Sequence, residues 1–98
     1  IFNESITLQA PSSPAKVQNV LNGKVVFAGK SSMLGKVVVV AHSGKMHTVY
    51  AGLSKIAPNI KVGRKIKKGY VIGKVNKKLM FQATKNSKHI NPLKLIHL

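Results

Sequence analysis

Gly35-Lys36-Val37-Val38-Val39-Val40-Ala41-His42, followed by Ser43-Gly44-Lys45 and then Met46-His47-Thr48-Val49-Tyr50, is the stretch that decides the fold class. Consecutive valines are stiff at χ1 and suit a pleated surface better than a helix. The run predicts a strand buried on both faces. Ser43-Gly44-Lys45 then reverses the chain, and Thr48, Val49 and Tyr50 predict an antiparallel return strand.

Upstream of it, Asn22-Gly23 is the strongest two-residue hairpin signal in the chain. It predicts a first hairpin between Val17–Val20 and Lys24–Ala28, with Gly29 to Leu34 as a small polar loop. Ile6-Thr7-Leu8 alternates weakly and predicts a short edge strand. The prolines and serines of Ala10-Pro11-Ser12-Ser13-Pro14 predict a turn after it. Downstream, Gly52 to Pro58 breaks the pattern. Ile60 to Gly73 then alternates apolar residues with lysines and glycines, as short strands with tight corners do. Leu79 to Ala83 predicts a further strand and Lys85 to Lys88 a turn. Ile90-Asn91-Pro92 opens a terminal segment, Leu93 to Leu98, predicted as one helical turn. Many short strands punctuated by glycine turns imply an all-β sandwich or barrel of antiparallel strands with almost no helix.

The chain of 98 residues has no cysteine, so neither disulfides nor thiolate zinc sites are available to it. Its charge is lopsided: 17 Lys+Arg against one acid, Glu4, give +16, and Arg64 is the only arginine. Such a field favours encounter with anionic partners. Nucleic acid is not the expected partner, because two tyrosines and three phenylalanines form no stacking pair and there is no arginine-rich stretch. No apolar run approaches the roughly 20 residues of a membrane span, so no transmembrane segment is expected within the chain. No Ser/His/Asp arrangement can be drawn without an aspartate.

Three runs, Asn22 to Gly29, Gly35 to Gly44 and Thr48 to Ser54, resemble in order the lysostaphin-like (LytM) peptidase domain. Val62-Gly63, Ile66, Lys68-Gly69 and Val71-Ile72-Gly73 are similar to its glycine-spaced segment, and Ile90-Asn91-Pro92 to its closing motif. The resemblance covers nearly the whole chain. It implies a duplicated-hybrid-motif fold over residues 1–98 as a single domain, expected to be the C-terminal part of a longer chain. In active members it implies a zinc endopeptidase that cuts peptidoglycan cross-links. The Val62 to Gly73 rhythm is also similar to biotinyl or lipoyl carriers, but the lysine hairpin of those carriers is missing.

Carried over position by position, the resemblance implies that this domain is degenerate. The first zinc-ligand pair of the family falls on Asn3 and Thr7. The histidine of its Y-x-H-L-S motif falls on Gly52, and the closing H-L-H-F-E motif falls on Lys78-Leu79-Met80-Phe81-Gln82. A protonated lysine repels Zn²⁺ and glycine offers no ligand, so neither catalytic residues, metal nor cofactor are expected. The loop before the motif is short, since Gly73-Lys74-Val75-Asn76-Lys77 runs straight into Lys78. Asn3, Thr7, Gly52, Lys78, Met80 and Gln82 are therefore expected to line a former active-site groove, with Met33, Leu34 and Lys77 at its rim. Met80 also has the competing reading of core filling, because Leu79 and Met80 must face opposite sides of a strand. His42 is expected to be structural and hydrogen-bonded, His47 to lie near it, and His89 and His97 to be surface residues.

The resemblance is greatest to the EnvC-like murein hydrolase activators. It implies a non-catalytic factor, extracytoplasmic or periplasmic, that docks on a cell-wall amidase and switches it on. Two alternatives are an inactive subunit paired with an active LytM-type paralogue and a module that holds anionic wall polymer, with peptidoglycan as a ligand.

Overall fold

The computed structural model describes residues 6–9, 14–85 and 88–89, the last two and Ile6 by their backbone alone. Among the described residues ten strands follow one another: β1 (Ile6–Gln9), β2 (Ala15–Gln18), β3 (Gly23–Ser31), β4 (Gly35–His42), β5 (Met46–Leu53), β6 (Lys55–Ile56), β7 (Lys65–Ile66), β8 (Val71–Val75), β9 (Lys78–Lys85) and β10 (Lys88–His89). No helix occurs among the described residues. The valine run forms β4 and pairs antiparallel with β5, His42 opposite Met46, so the hairpin expected at Ser43-Gly44-Lys45 is present. Gly44 and Lys45 turn the chain with φ of 75° and 58°.

The strands form two antiparallel sheets. The larger runs β1-β9-β5-β4-β3-β7, with β10 also on β9, and the smaller runs β2-β8-β6. Their facing sides make the core. Val17, Ile72 and Val75 come from the small sheet; Val25, Val38, Val40, Tyr50, Leu79, Phe81 and Ala83 come from the large one. Each large apolar side chain buried here stabilises the fold by about 1.5–3 kcal/mol. Tyr50 and Phe81 lie ring against ring, 5.3 Å apart and tilted by 52°.

Four expectations are corrected. The Asn22-Gly23 hairpin does not exist: β2 belongs to the small sheet and pairs with β8, while Gly23 is already inside β3, opposite His42 and Ile66. Glycine is there for want of space. A Cβ would approach the Ala41 carbonyl oxygen at 2.5 Å and His42 Nδ1 at 2.7 Å. Asn22 is consumed in tying elements together, its carbonyl accepting from His42 Nδ1 and its Oδ1 accepting the Lys68 N–H. The Gly29–Leu34 loop is shorter than expected, because β3 continues to Ser31, and only residues 32–34 turn. The valine strand is not equally buried on both faces, for Val39 is only half-buried. The strand expected over Val17–Val20 ends at Gln18. The turn expected at Ala10–Pro14 and the helical turn at Leu93–Leu98 fall largely or wholly outside the described residues.

A polar seam crosses the interior between the two sheets. The buried Tyr50 hydroxyl donates to Asn19 Oδ1 at 3.2 Å and accepts the Val20 N–H at 3.1 Å. Asn19 Nδ2 in turn donates to the carbonyls of Leu21 and Lys67. Burial pushes the phenol above its usual 10.0, keeping it a donor. Tyr50→Phe strands a buried amide and a buried carbonyl oxygen and is expected to cost about 1–3 kcal/mol. Urea unfolding should show a lowered midpoint with an unchanged slope.

Candidate functional site

Period-two geometry sorts β9 into two faces. Leu79, Phe81 and Ala83 are fully buried in the core, so Lys78, Met80 and Gln82 belong to the outer face. Met80 is 37 % exposed, which replaces its core-filling reading. Register then assembles its neighbours. Met80 stands between Thr7 on β1 and Ala51 on β5, Gln82 stands opposite Val49, and Lys78 opposite Gln9. Direct cross-strand partners share a face and touch through their side-chain bases.

Gly52 closes one end of this patch. It lies on β5 with φ 76°, a left-handed conformation suited to glycine. Its N–H donates to the Leu34 carbonyl at 2.9 Å, holding the 32–34 turn against the strand. A Cβ on Gly52 would stand 3.5 Å from the Lys78 carbonyl oxygen. Sequence positions 7, 34, 52, 78 and 80 are thereby brought to one region. Met33 is 90 % exposed and Leu34 41 %, with both their amides donating to Ser31 Oγ at 3.3 Å. Lys77 is exposed in the short connection between β8 and β9. Asn3 lies outside the described residues.

Sequence reasoning missed the apolar row beside this patch. Phe27 on β3 opposes Val39 on β4, and Val39 opposes Val49 on β5, which opposes Gln82. Phe27 is 44 % exposed while Val39 and Val49 are half-buried. The outer face thus carries apolar surface bordered by lysines. The signal was alternation inside the valine run, hidden because all its members are the same residue.

His42 takes a structural place, and the side chains of His89 and His97 lie outside the described residues. His42 is buried, its Nδ1 donating to the Asn22 carbonyl at 2.9 Å and its Nε2 lying 2.8 Å from the Thr48 hydroxyl. His47 is exposed on the opposite face of the sheet. Among the described residues no group of three or more histidines, cysteines or carboxylates is positioned to hold a metal ion. Lys78 and Met80 supply a cation and a thioether, outside the Cys, His and carboxylate set that ordinarily binds Zn²⁺.

The profile of Peptidase family M23 matches residues 2–92. Stage II sporulation protein Q of Bacillus subtilis is 41% identical over 69 residues, 70% of this chain and 24% of that protein. Helicobacter pylori Csd3 superposes with a TM-score of 0.85 at 34% identity, covering 97% of this chain and 27% of Csd3. A chain of the SpoIIQ-SpoIIIAH pore-forming complex superposes with a TM-score of 0.75 at 34% identity, covering 85% of this chain and 57% of that one. The chain therefore spans about a quarter of the curated relative it matches.

Burial pushes His42 below its ordinary 6.5, and the nearby charge of His47 acts the same way against the raising effect of the Asn22 carbonyl. The unfolded chain then binds more protons than the fold as the pH drops below 6.5, so stability is complete above that value and declines below it. Thermal melts from about pH 8 to about pH 5 should show a falling midpoint, with a shallower fall for His42→Gln.

Proposed function

The chain belongs to peptidase family M23, and we propose that within it this is a non-catalytic LytM factor whose outer sheet face docks on a cell-wall amidase and activates it. The carrying observation is the register: Thr7 lies opposite Met80, and Gly52 lies beside the Lys78 backbone. Four of the positions assigned to the family's metal and catalytic groups, Thr7, Met80, Gly52 and Lys78, are thus neighbours, and they carry a hydroxyl, a thioether, a hydrogen and an ammonium; this supports the reading.

Exposed Met80, Leu34 and Phe27 offer adaptable apolar contact, and Lys77 and Lys78 attract an acidic segment of a client. Similarity to a chain of the SpoIIQ-SpoIIIAH complex supports a partner-binding role for a domain of this shape. It favours equally a second reading, in which the client is an active LytM-type paralogue. Both place the protein outside the cytoplasm, in the periplasm or cell envelope, where peptidoglycan is found. No helix among the described residues is long and apolar enough to cross a membrane.

The protein is expected to bind no stoichiometric zinc and to release no peptides from wall sacculi; chelator-sensitive cleavage overturns the non-catalytic reading. Added to its host's wall amidase, it should raise the rate of amide hydrolysis. Lys78→Glu and Met80→Asp should each weaken that activation by about fivefold or more, as losing a central interface contact does, with melting temperatures near that of the parent. Full activation by both variants removes the outer face as the docking surface. An amidase that does not respond, beside an active paralogue that does, selects the second reading.

A further inference from the structure

We propose that a second site, at the β3–β7 end of the large sheet, binds a phosphate group. A concavity of about 440 Å³ opens there, within the size range of small-ligand sites. Strand register builds its walls. Lys24 on β3 stands between Ala41 on β4 and Lys65 on β7, and Lys67 follows at the end of β7. Ile66, itself buried in the core, and Ser43 also line it. A smaller concavity of about 270 Å³ shares Asn22 and Ser43 with the first and adds Lys68.

Four lysines from two distant parts of the chain therefore surround adjoining hollows. Among the described residues no carboxylate lines either one. An entering anion gains from all four charges together. The number of cations points to a multiply charged anion rather than a single carboxylate. Arginine's planar fork matches carboxylate and phosphate alike, whereas lysine binds phosphate as a point charge with three rotatable donors. Lysines drawn from β3, from β7 and from the residues just after it suit a tetrahedral group with oxygens in several directions and a charge of about −1.5 to −2. The phosphate can be carried by a soluble ester or by a lipid headgroup.

The test follows backbone amide resonances during titration of the protein with inorganic phosphate, with sodium chloride at equal ionic strength as control. Phosphate should shift residues 22–24, 41–43 and 65–68 saturably, and chloride should not. Lys65→Gln with Lys67→Gln should weaken binding by about fivefold or more, as loss of charge-assisted contacts does. Lys55→Gln with Lys74→Gln, near a different hollow, should leave it within about twofold. Shifts scattered over the surface, an equal response to chloride, or equal weakening by both double variants overturns the proposal. Glycerol 3-phosphate and phosphatidylcholine vesicles containing phosphatidate separate the sources. Binding to the first alone assigns a soluble ester, variant-sensitive binding to the vesicles assigns a lipid headgroup, and binding to neither overturns the site.

Discussion

A central strand has two faces and one register, and β9 is bound by both. Leu79, Phe81 and Ala83 must enter the core because they are the residues that meet Tyr50 and the small sheet. Lys78, Met80 and Gln82 are thereby committed to the opposite face. A shift of one residue would exchange the two sets and bury Lys78, at a cost the fold could not carry. The candidate docking surface is therefore a by-product of the packing that stabilises the domain. Pairing with β1 on one side and β5 on the other then fixes which side chains Met80 can neighbour.

Fold class was legible in the valine run and the Ser43-Gly44-Lys45 turn, because χ1 stiffness and local reversal are properties of neighbouring residues. Sheet membership was not. Ala15–Gln18 finds its partner in Val71–Val75, far along the chain, and nothing in the local pattern around Asn22-Gly23 distinguishes a turn from a glycine squeezed between strands. Around the outer face, Lys78, Met80 and Gly52 were readable from their order in the sequence. Phe27, Val39 and Val49 were not, since their shared face depends on two interrupted registers, at Val25/Phe27 and at Lys36/Val38. The clustering of Lys24 with Lys65, Lys67 and Lys68 is likewise a result of β3–β7 pairing.

The two surfaces divide the chemistry of a very basic domain. The Met80 face combines apolar side chains with a few lysines and suits a folded protein partner. The β3–β7 end concentrates charge in a hollow and suits a small dense anion. On the inner face of the large sheet lies the seam of Asn19, Tyr50, Thr48 and His42, whose hydrogen bonds satisfy one another's buried polar groups. His42 ends that seam and also lines the smaller hollow beside Lys68.

Gly52 couples a loop to a missing side chain. Its backbone sits at φ 76°, where a residue with a Cβ costs about 1–2 kcal/mol. Its N–H also holds the Leu34 carbonyl, so a β5 backbone that relaxed to relieve that cost would carry the 32–34 turn with it. The place of Met33 and Leu34 beside the outer face is thus tied to the smallest residue in the strand.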